Sequence, residues 1–123
     1  NKYSKFASVN ISSGNYAGCY GKLIFTATEA NTGFNGILYY FFKTGSSNEY
    51  ADGHLTWETL TDLAYKNNVY AVKTANGKFD LYLKETKDWS TEYISIIPIC
   101  GWDNITLTKP TAYVDKITPF FLS

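Results

Sequence analysis

Two tryptophans that stand beside acidic residues are the side chains best suited to bind a ligand. Trp89 follows Asp88, and Trp102 precedes Asp103, in stretches whose glycine, serine and asparagine content is typical of turns. An indole ring stacks on the C–H face of a sugar, while a neighbouring carboxylate binds the sugar's hydroxyl groups. We therefore predict ligand-binding roles for Asp88, Trp89, Trp102 and Asp103. The alternative is that each indole folds back to cover the end of the core.

The chain has one histidine, His54, two residues after Asp52. An imidazole held by a carboxylate is a typical general base. A nucleophile would also be needed, and the chain has no Gly-x-Ser-x-Gly elbow. We predict that His54 is a solvated loop residue and that the protein is not an enzyme and has no catalytic residue.

Metal and cofactor chemistry has little support in the sequence. One histidine and two distant cysteines do not make the ligand set of a zinc site, and the acidic residues lack EF-hand spacing. We predict no metal site and no cofactor. The enzymatic alternative is a glycosidase that uses two of the scattered carboxylates, although nothing in the sequence selects a pair.

Composition excludes several classes of protein. The 123 residues are 18% aromatic, and 11 lysines balance 11 acidic residues in a chain without arginine. Such a chain is too apolar for intrinsic disorder, and its neutrality is unfavourable for nucleic-acid binding. No apolar run approaches the roughly 20 residues of a membrane helix, so no membrane insertion is expected. The length predicts a single domain over 1–123.

Alternating polar and apolar residues predict an all-β fold. In residues 3–11, for example, Ala7, Val9 and Ile11 share one face and Phe6 falls on the other. Asn76-Gly77 between two alternating segments predicts a tight hairpin, and Pro98 predicts an edge strand or a bulge. About eight short strands predict an antiparallel β-sandwich of jelly-roll type. The predicted segments are 3–11, 19–28, 37–42, 55–60 (or a helical turn there), 69–74, 78–84, 92–100, 105–108 and 113–117.

The run Ile37–Phe42 is apolar or aromatic on both faces of its predicted strand. One face would meet the core of the sandwich, and the other needs a second covering surface. We predict that this surface is a neighbouring subunit. The residues expected at the subunit interface include several of Tyr39, Tyr40, Phe41, Phe42 and Phe120.

Cys19 and Cys100 are the two cysteines. Both lie near glycines at predicted strand ends, which favours two buried free thiols that act as small hydrophobic side chains. A single disulfide between them is the alternative, because the sequence does not give the separation of their Cα atoms.

Several segments resemble the small C-terminal receptor-binding domains of bacteriophage tail fibres, tailspikes and neck appendages, which are similar to TNF/C1q-like jelly rolls. The shared pattern is a hairpin, a further strand and a Gly-Trp pair near the C-terminus. The segments that carry it are Lys5-Phe6-Ala7-Ser8-Val9-Asn10-Ile11, Asn68-Val69-Tyr70-Ala71-Val72-Lys73, Gly77-Lys78-Phe79-Asp80-Leu81-Tyr82-Leu83-Lys84 and Ile99-Cys100-Gly101-Trp102-Asp103-Asn104.

The resemblance implies a homotrimer in an extracellular part of a virion that contacts a host surface saccharide or wall polymer without covalent chemistry. It supplies no site residues, because no matching site motif is present. A structural trimerisation or assembly domain of a phage fibre or spike is the first alternative. A bacterial carbohydrate-binding module is the second, and the mass of the assembly in solution separates it from the other two.

Overall fold

The protein forms eight β-strands that make two four-stranded antiparallel sheets. The computed structural model describes residues 2–11, 17–28, 33–46, 51–62, 66–85, 94–100, 104–108 and 114–119. The strands are β1 (Lys2–Asn10), β2 (Gly18–Thr28), β3 (Gly33–Lys43), β4 (Asp52–Leu60), β5 (Val69–Ala75), β6 (Lys78–Glu85), β7 (Ile94–Cys100) and β8 (Ile105–Leu107).

Sheet A has the strand order β5-β6-β1-β8, and sheet B has the order β4-β3-β2-β7. The prediction of an antiparallel β-sandwich with about eight strands is confirmed. The pairings of β1 with β8 and of β2 with β7 nest inside each other. The nesting stops there, because β3 and β6 belong to different sheets. Strands β2, β3 and β4 form a meander, and β5 and β6 form a hairpin.

The core lies between the two sheets and is built from every second residue of the central strands. Phe6 of sheet A meets Phe25 of sheet B with ring centroids 5.1 Å apart, and Phe42 of sheet B meets Phe79 of sheet A at 4.5 Å. All four rings are fully buried. Burial of each such side chain contributes roughly 1.5–3 kcal/mol, so these contacts hold the two sheets face to face.

Strand β1 contains an irregularity that was not predicted from its sequence. The register with β6 shifts between Lys5 and Ala7, which leaves Phe6 as an extra residue of the kind found in a β-bulge. Phe6 and Ala7 are therefore both fully buried, although they are adjacent. The predicted placement of Phe6 opposite Ala7 is wrong for this reason.

The predicted hairpin is confirmed, with Asn76 and Gly77 as its two loop residues. Gly77 has a φ of +78°, a conformation that L side chains rarely adopt. The Asn76 side chain accepts a hydrogen bond from the Gly45 amide (3.1 Å) and donates one to the Gly45 carbonyl (3.0 Å). The hairpin of sheet A is thereby joined to the chain that leaves strand β3 of sheet B.

Strands β3 and β4 begin earlier than predicted, at Gly33 and Asp52 in place of 37 and 55, a predicted last strand is reduced to one bridge, and one edge is as expected. Strand β4 begins at Asp52, in a stretch that the turn-forming residues around Gly53 make look irregular. In place of a strand over 113–117, the described residues 114–119 contribute a single antiparallel bridge between Val114 and Tyr3. Strand β7, which contains Pro98, is an edge strand of sheet B, as predicted.

Candidate functional site

The four sequence-predicted ligand residues, Asp88, Trp89, Trp102 and Asp103, lie outside the described residues, and their roles remain predictions. The first pair belongs to the segment before Ile94, where β7 begins, and the second to the segment after Cys100, where β7 ends. These two segments therefore join β7 at opposite ends. The described surface that offers the most binding chemistry is instead the outer face of one sheet.

The outer face of sheet A mixes polar residues with tyrosines: Tyr82 is paired with Tyr70, whose ring lies 5.8 Å from that of Tyr3, edge to face. The Ser8 hydroxyl donates a hydrogen bond to the Asp80 carboxylate at 3.0 Å, and Lys5, Asn10 and Lys78 are exposed around this pair. Burial first, and then the charge of the neighbouring Asp80, raise the pKa of the Tyr82 phenol. The tyrosines of this face are half-buried, and none of the large hydrophobic side chains that are exposed among the described residues lies on the strands of sheet A.

The outer face of sheet B carries a group of rings, Tyr20, Tyr39, Phe41 and His54, which we call the aromatic group. The strand register places Phe41 between Tyr20 and His54. The His54 imidazole lies 5.5 Å from the Phe41 ring and 5.8 Å from the Tyr39 ring, centroid to centroid, with interplanar angles of 36° and 26°. Tyr20 is 69% exposed, and the other three are half-buried.

The structure corrects the interpretation of His54. It lies within strand β4 and not in a loop, and rings contact its imidazole from two neighbouring positions of β3. Asp52 stands two residues earlier on the same strand, and its carboxylate accepts a hydrogen bond from the Gly53 amide at 2.8 Å. The sequence feature that indicated the aromatic group was the run Ile37–Phe42, which is apolar on both faces. The sequence did not show that the strand containing His54 pairs with this run.

The interface prediction also needs correction. Tyr40 and Phe42 are fully buried in the core, so they are not available to a neighbouring subunit. The Tyr40 ring packs over Gly21, where a Cβ atom would lie 2.7 Å from its Cζ atom. Tyr39 and Phe41 lie on the outer face and stay candidates for an interface, whereas Phe120 lies outside the described residues.

A row of three isoleucines crosses the same outer face beside the aromatic group. Ile97 of β7 is paired with Ile24 of β2, which is paired with Ile37 of β3. Ile97 is 56% exposed and Ile24 is 37% exposed. We call Ile24, Ile37 and Ile97 the isoleucine row. Three aliphatic side chains on neighbouring strands make a continuous apolar strip, which solvated sheet faces usually lack.

An ion pair lies close to both groups. The Lys22 ammonium is 2.9 Å from the Glu58 carboxylate. This hydrogen bond, together with the attraction between the two charges, raises the pKa of Lys22. Lys22 is paired with Tyr39 in the strand register and lies two residues before Ile24. The lysine that stands between the aromatic group and the isoleucine row therefore has its charge balanced locally.

The two cysteines are free thiols in different environments. Cys19 is buried, as predicted, whereas Cys100 is exposed, so the prediction that both are buried is wrong for Cys100. Burial raises the pKa of the Cys19 thiol from 9.0 to about 11. Cys100 is paired with Lys22 on the outer face of sheet B, which makes its thiol a natural reporter for that face.

The described acidic residues are dispersed. Asp80 lies on the outer face of sheet A and Asp52 on that of sheet B. Within the ranges given above, no three His, Cys, Asp or Glu side chains come together as a potential metal site. No helix with the length and apolarity to cross a membrane occurs among the residues that the structure describes.

Comparisons of the chain with protein-family models, curated proteins and solved structures found no match. Its function is therefore inferred from the chemistry of its own surface.

Proposed function

We propose that this domain is a non-enzymatic recognition module of a bacteriophage adhesin, and that it binds a host surface saccharide or wall polymer as a homotrimer in the virion. The observation that supports saccharide binding is the aromatic group on the outer face of sheet B. It combines the exposed Tyr20 ring with an imidazole and with the polar Asp52 and Thr56, which are also exposed.

The chemistry of the aromatic group suits a sugar. A pyranose presents C–H groups to an aromatic ring and hydroxyl groups to polar neighbours, and tyrosine offers both a ring and a hydroxyl. Strand residues are held by the sheet, so ordering them on binding costs little entropy. His54 is also held by its contacts with Tyr39 and Phe41, which favours a positioning contact with the ligand.

A single site of this kind is weak, and assembly makes it useful. Three linked copies raise overall avidity by roughly 10²–10⁴ when the saccharides are spaced so that the copies bind together. The homotrimer is therefore part of the functional proposal. The predicted contacts at Trp89 and Trp102 belong to the same proposal and are tested separately.

The test measures binding of the parent and its variants to a glycan array and to purified bacterial cell walls. We expect Tyr20→Ala to weaken binding by roughly two- to tenfold, since one aromatic contact contributes about 0.5–1.5 kcal/mol. The matched control is Tyr82→Ala, which removes a half-buried tyrosine from the outer face of sheet A and should bind like the parent.

The same binding assay, with Trp89→Ala and Trp102→Ala, tests the sequence-predicted residues. Loss of binding in these variants alone would move the site from the aromatic group to Trp89 and Trp102. Parent-like binding in all three variants would overturn both locations. If the parent binds none of the glycans and none of the cell walls, the saccharide proposal fails.

A structural assembly domain of a phage fibre or spike is the second candidate. The isoleucine row favours it, because an apolar strip without hydrogen-bonding groups suits packing between subunits better than contact with a sugar. Trimeric mass together with failure to bind any saccharide would support this candidate. Monomeric mass together with saccharide binding would instead support a bacterial carbohydrate-binding module.

A further inference from the structure

The exposed apolar side chains are concentrated at one side of sheet B. Among the described residues, five large hydrophobic side chains are exposed, and two of them, Ile24 and Ile97, belong to the isoleucine row. Ile99, which is 41% exposed, lies on β7 two residues after Ile97. The row therefore ends at an edge strand whose sequence, Ile94–Cys100, contains no charged residue.

Several kinds of occupant fit this surface poorly. A saccharide needs hydrogen-bonding partners, and the isoleucine side chains offer none. An anionic polymer or an anionic lipid surface needs unpaired lysines, and Lys22, which borders the row, is already 2.9 Å from Glu58. The chemistry therefore favours an uncharged and apolar partner.

Strand addition along β7 is also disfavoured. Pro98 has no amide N–H to donate, and the pairing of β7 with β2 is irregular between Lys22 and Leu23. An added strand would lack a continuous ladder of hydrogen bonds at this edge. Contact at this side of the sandwich is therefore expected to use the side chains of the sheet face.

We propose that the isoleucine row is the surface through which this chain contacts a second copy of itself. The chain carries 11 lysines and 11 acidic residues, so two copies approach without net repulsion. The row is uncharged, and its neighbouring ion pair is internally balanced, so three copies can place their rows around one threefold axis without burying an unpaired charge. This inference rests on the homo-oligomer in the proposed function and names the face that forms it.

The test compares the mass in solution of the parent with that of Ile97→Lys, by light scattering over a range of concentrations. We expect the parent to form a closed oligomer of the 13.9 kDa chain. Ile97→Lys should associate roughly 100-fold more weakly, because a lysine in an uncharged contact loses water without gaining a partner. The matched control is Val114→Lys, which places the same charge at a residue that is 43% exposed and outside the row.

The thiol of Cys100 gives a second measurement that needs no change to the row. Cys100 is exposed in the single chain and lies beside Lys22 on the same face. In the folded parent, its reaction with a thiol reagent should slow as the concentration rises and copies associate. In folded Ile97→Lys, the reaction should stay fast.

The outcomes separate this inference from the proposed function. An oligomer that persists in folded Ile97→Lys, or a Cys100 reaction rate that ignores assembly, overturns the isoleucine row as the contact and leaves the homo-oligomer in place. A parent that is monomeric at every concentration overturns both the row and the homotrimer. Saccharide binding by such a monomer would still support the recognition site.

Discussion

The two sheets of this sandwich bury similar inner faces but differ on their outer ones. Sheet A combines the hydrogen-bonded Ser8–Asp80 pair with half-buried tyrosines, whereas sheet B carries the exposed side chains of Tyr20, Ile24 and Ile97. A solvated antiparallel sheet needs only one apolar face. The outward-facing apolar side chains of sheet B add little to the core, and this difference between the sheets is the reason that the proposed contacts are placed on sheet B.

The comparison also explains strand β3. Leu38, Tyr40 and Phe42 enter the core, while Ile37, Tyr39 and Phe41 belong to the outer face. The run is apolar throughout because its two sets of residues serve different surfaces. Substitutions on the two sides of one strand should therefore have very different effects on the stability of the isolated chain.

The largest expected effect comes from removing an inner-face ring of sheet B. Phe25 is fully buried between Phe6, at 5.1 Å, and Trp57, at 5.3 Å. Phe25→Ala should lower the free energy of unfolding by about 3–5 kcal/mol, because it deletes these contacts and leaves a cavity. Urea unfolding followed by circular dichroism measures the change.

The control for Phe25 is its neighbour on the same strand. Thr26 is exposed on the outer face, and Thr26→Ala should stay within about 0.5 kcal/mol of the parent. Equal losses in the two variants would contradict the assignment of inner and outer faces on β2.

A second large effect is expected where the two sheets are tied together. Gly77 has a φ of +78°, and a Cβ atom there would lie 2.7 Å from the Thr44 side chain and 2.8 Å from the Ile11 carbonyl oxygen. Gly77→Ala should lower the free energy of unfolding by about 2–3 kcal/mol through backbone strain and these close contacts. Gly18→Ala is the control, since a Cβ atom at Gly18 would find its nearest neighbour at 3.3 Å. If Gly77→Ala has the same free energy of unfolding as the parent, the turn accommodates the added methyl group without strain.

The features that were predicted correctly depend on residues that are close together in the sequence. Alternation indicated most strands, and Asn76-Gly77 indicated the hairpin, because both signals are local. The bulge at Phe6 was not predicted, because it is visible only in the pairing of β1 with β6. Lys5 and Ala7 pair with two adjacent residues of β6, so Phe6 between them has no partner in the register. One inserted residue reverses the faces of all the residues before it.

The candidate site depended on contacts between distant parts of the chain. His54 appeared to be a loop residue because turn-forming residues precede it, and its contacts with Tyr39 and Phe41 follow from the pairing of β3 with β4. The isoleucine row likewise joins β7 to β2 across more than half of the chain. Such pairings are set by the whole core, so sequence patterns suggested the apolar run but not its neighbours.

A smaller effect with opposite signs is expected at two serines of strand β1. The Ser4 hydroxyl is fully buried and has no hydrogen-bonding partner among the described residues. Ser4→Ala should raise the free energy of unfolding by about 1 kcal/mol, because it removes a buried hydroxyl that lacks its hydrogen bond. Ser8→Ala is the matched variant on the outer face of sheet A. It should lower the free energy of unfolding by about 0.5–1 kcal/mol, since it removes the bond to Asp80. Destabilisation in both variants would indicate that Ser4 has a partner.

The smallest effect at neutral pH is expected at Cys19, studied in a Cys100→Ser background so that one thiol remains. Burial raises the pKa of Cys19 from 9.0 to about 11, so the folded state holds its proton more tightly than the unfolded state. The resulting stabilisation is fully present below pH 9.0 and is lost as the pH rises through about 11. Unfolding measured at a series of alkaline pH values should show this loss relative to Cys19→Ala in the same background, which shares the titration of every lysine and tyrosine. If the free energies of unfolding of the two proteins fall in parallel as the pH rises, the Cys19 thiol ionises as easily in the folded state as in the unfolded state. Cys19 would then be exposed to solvent, as Cys100 is.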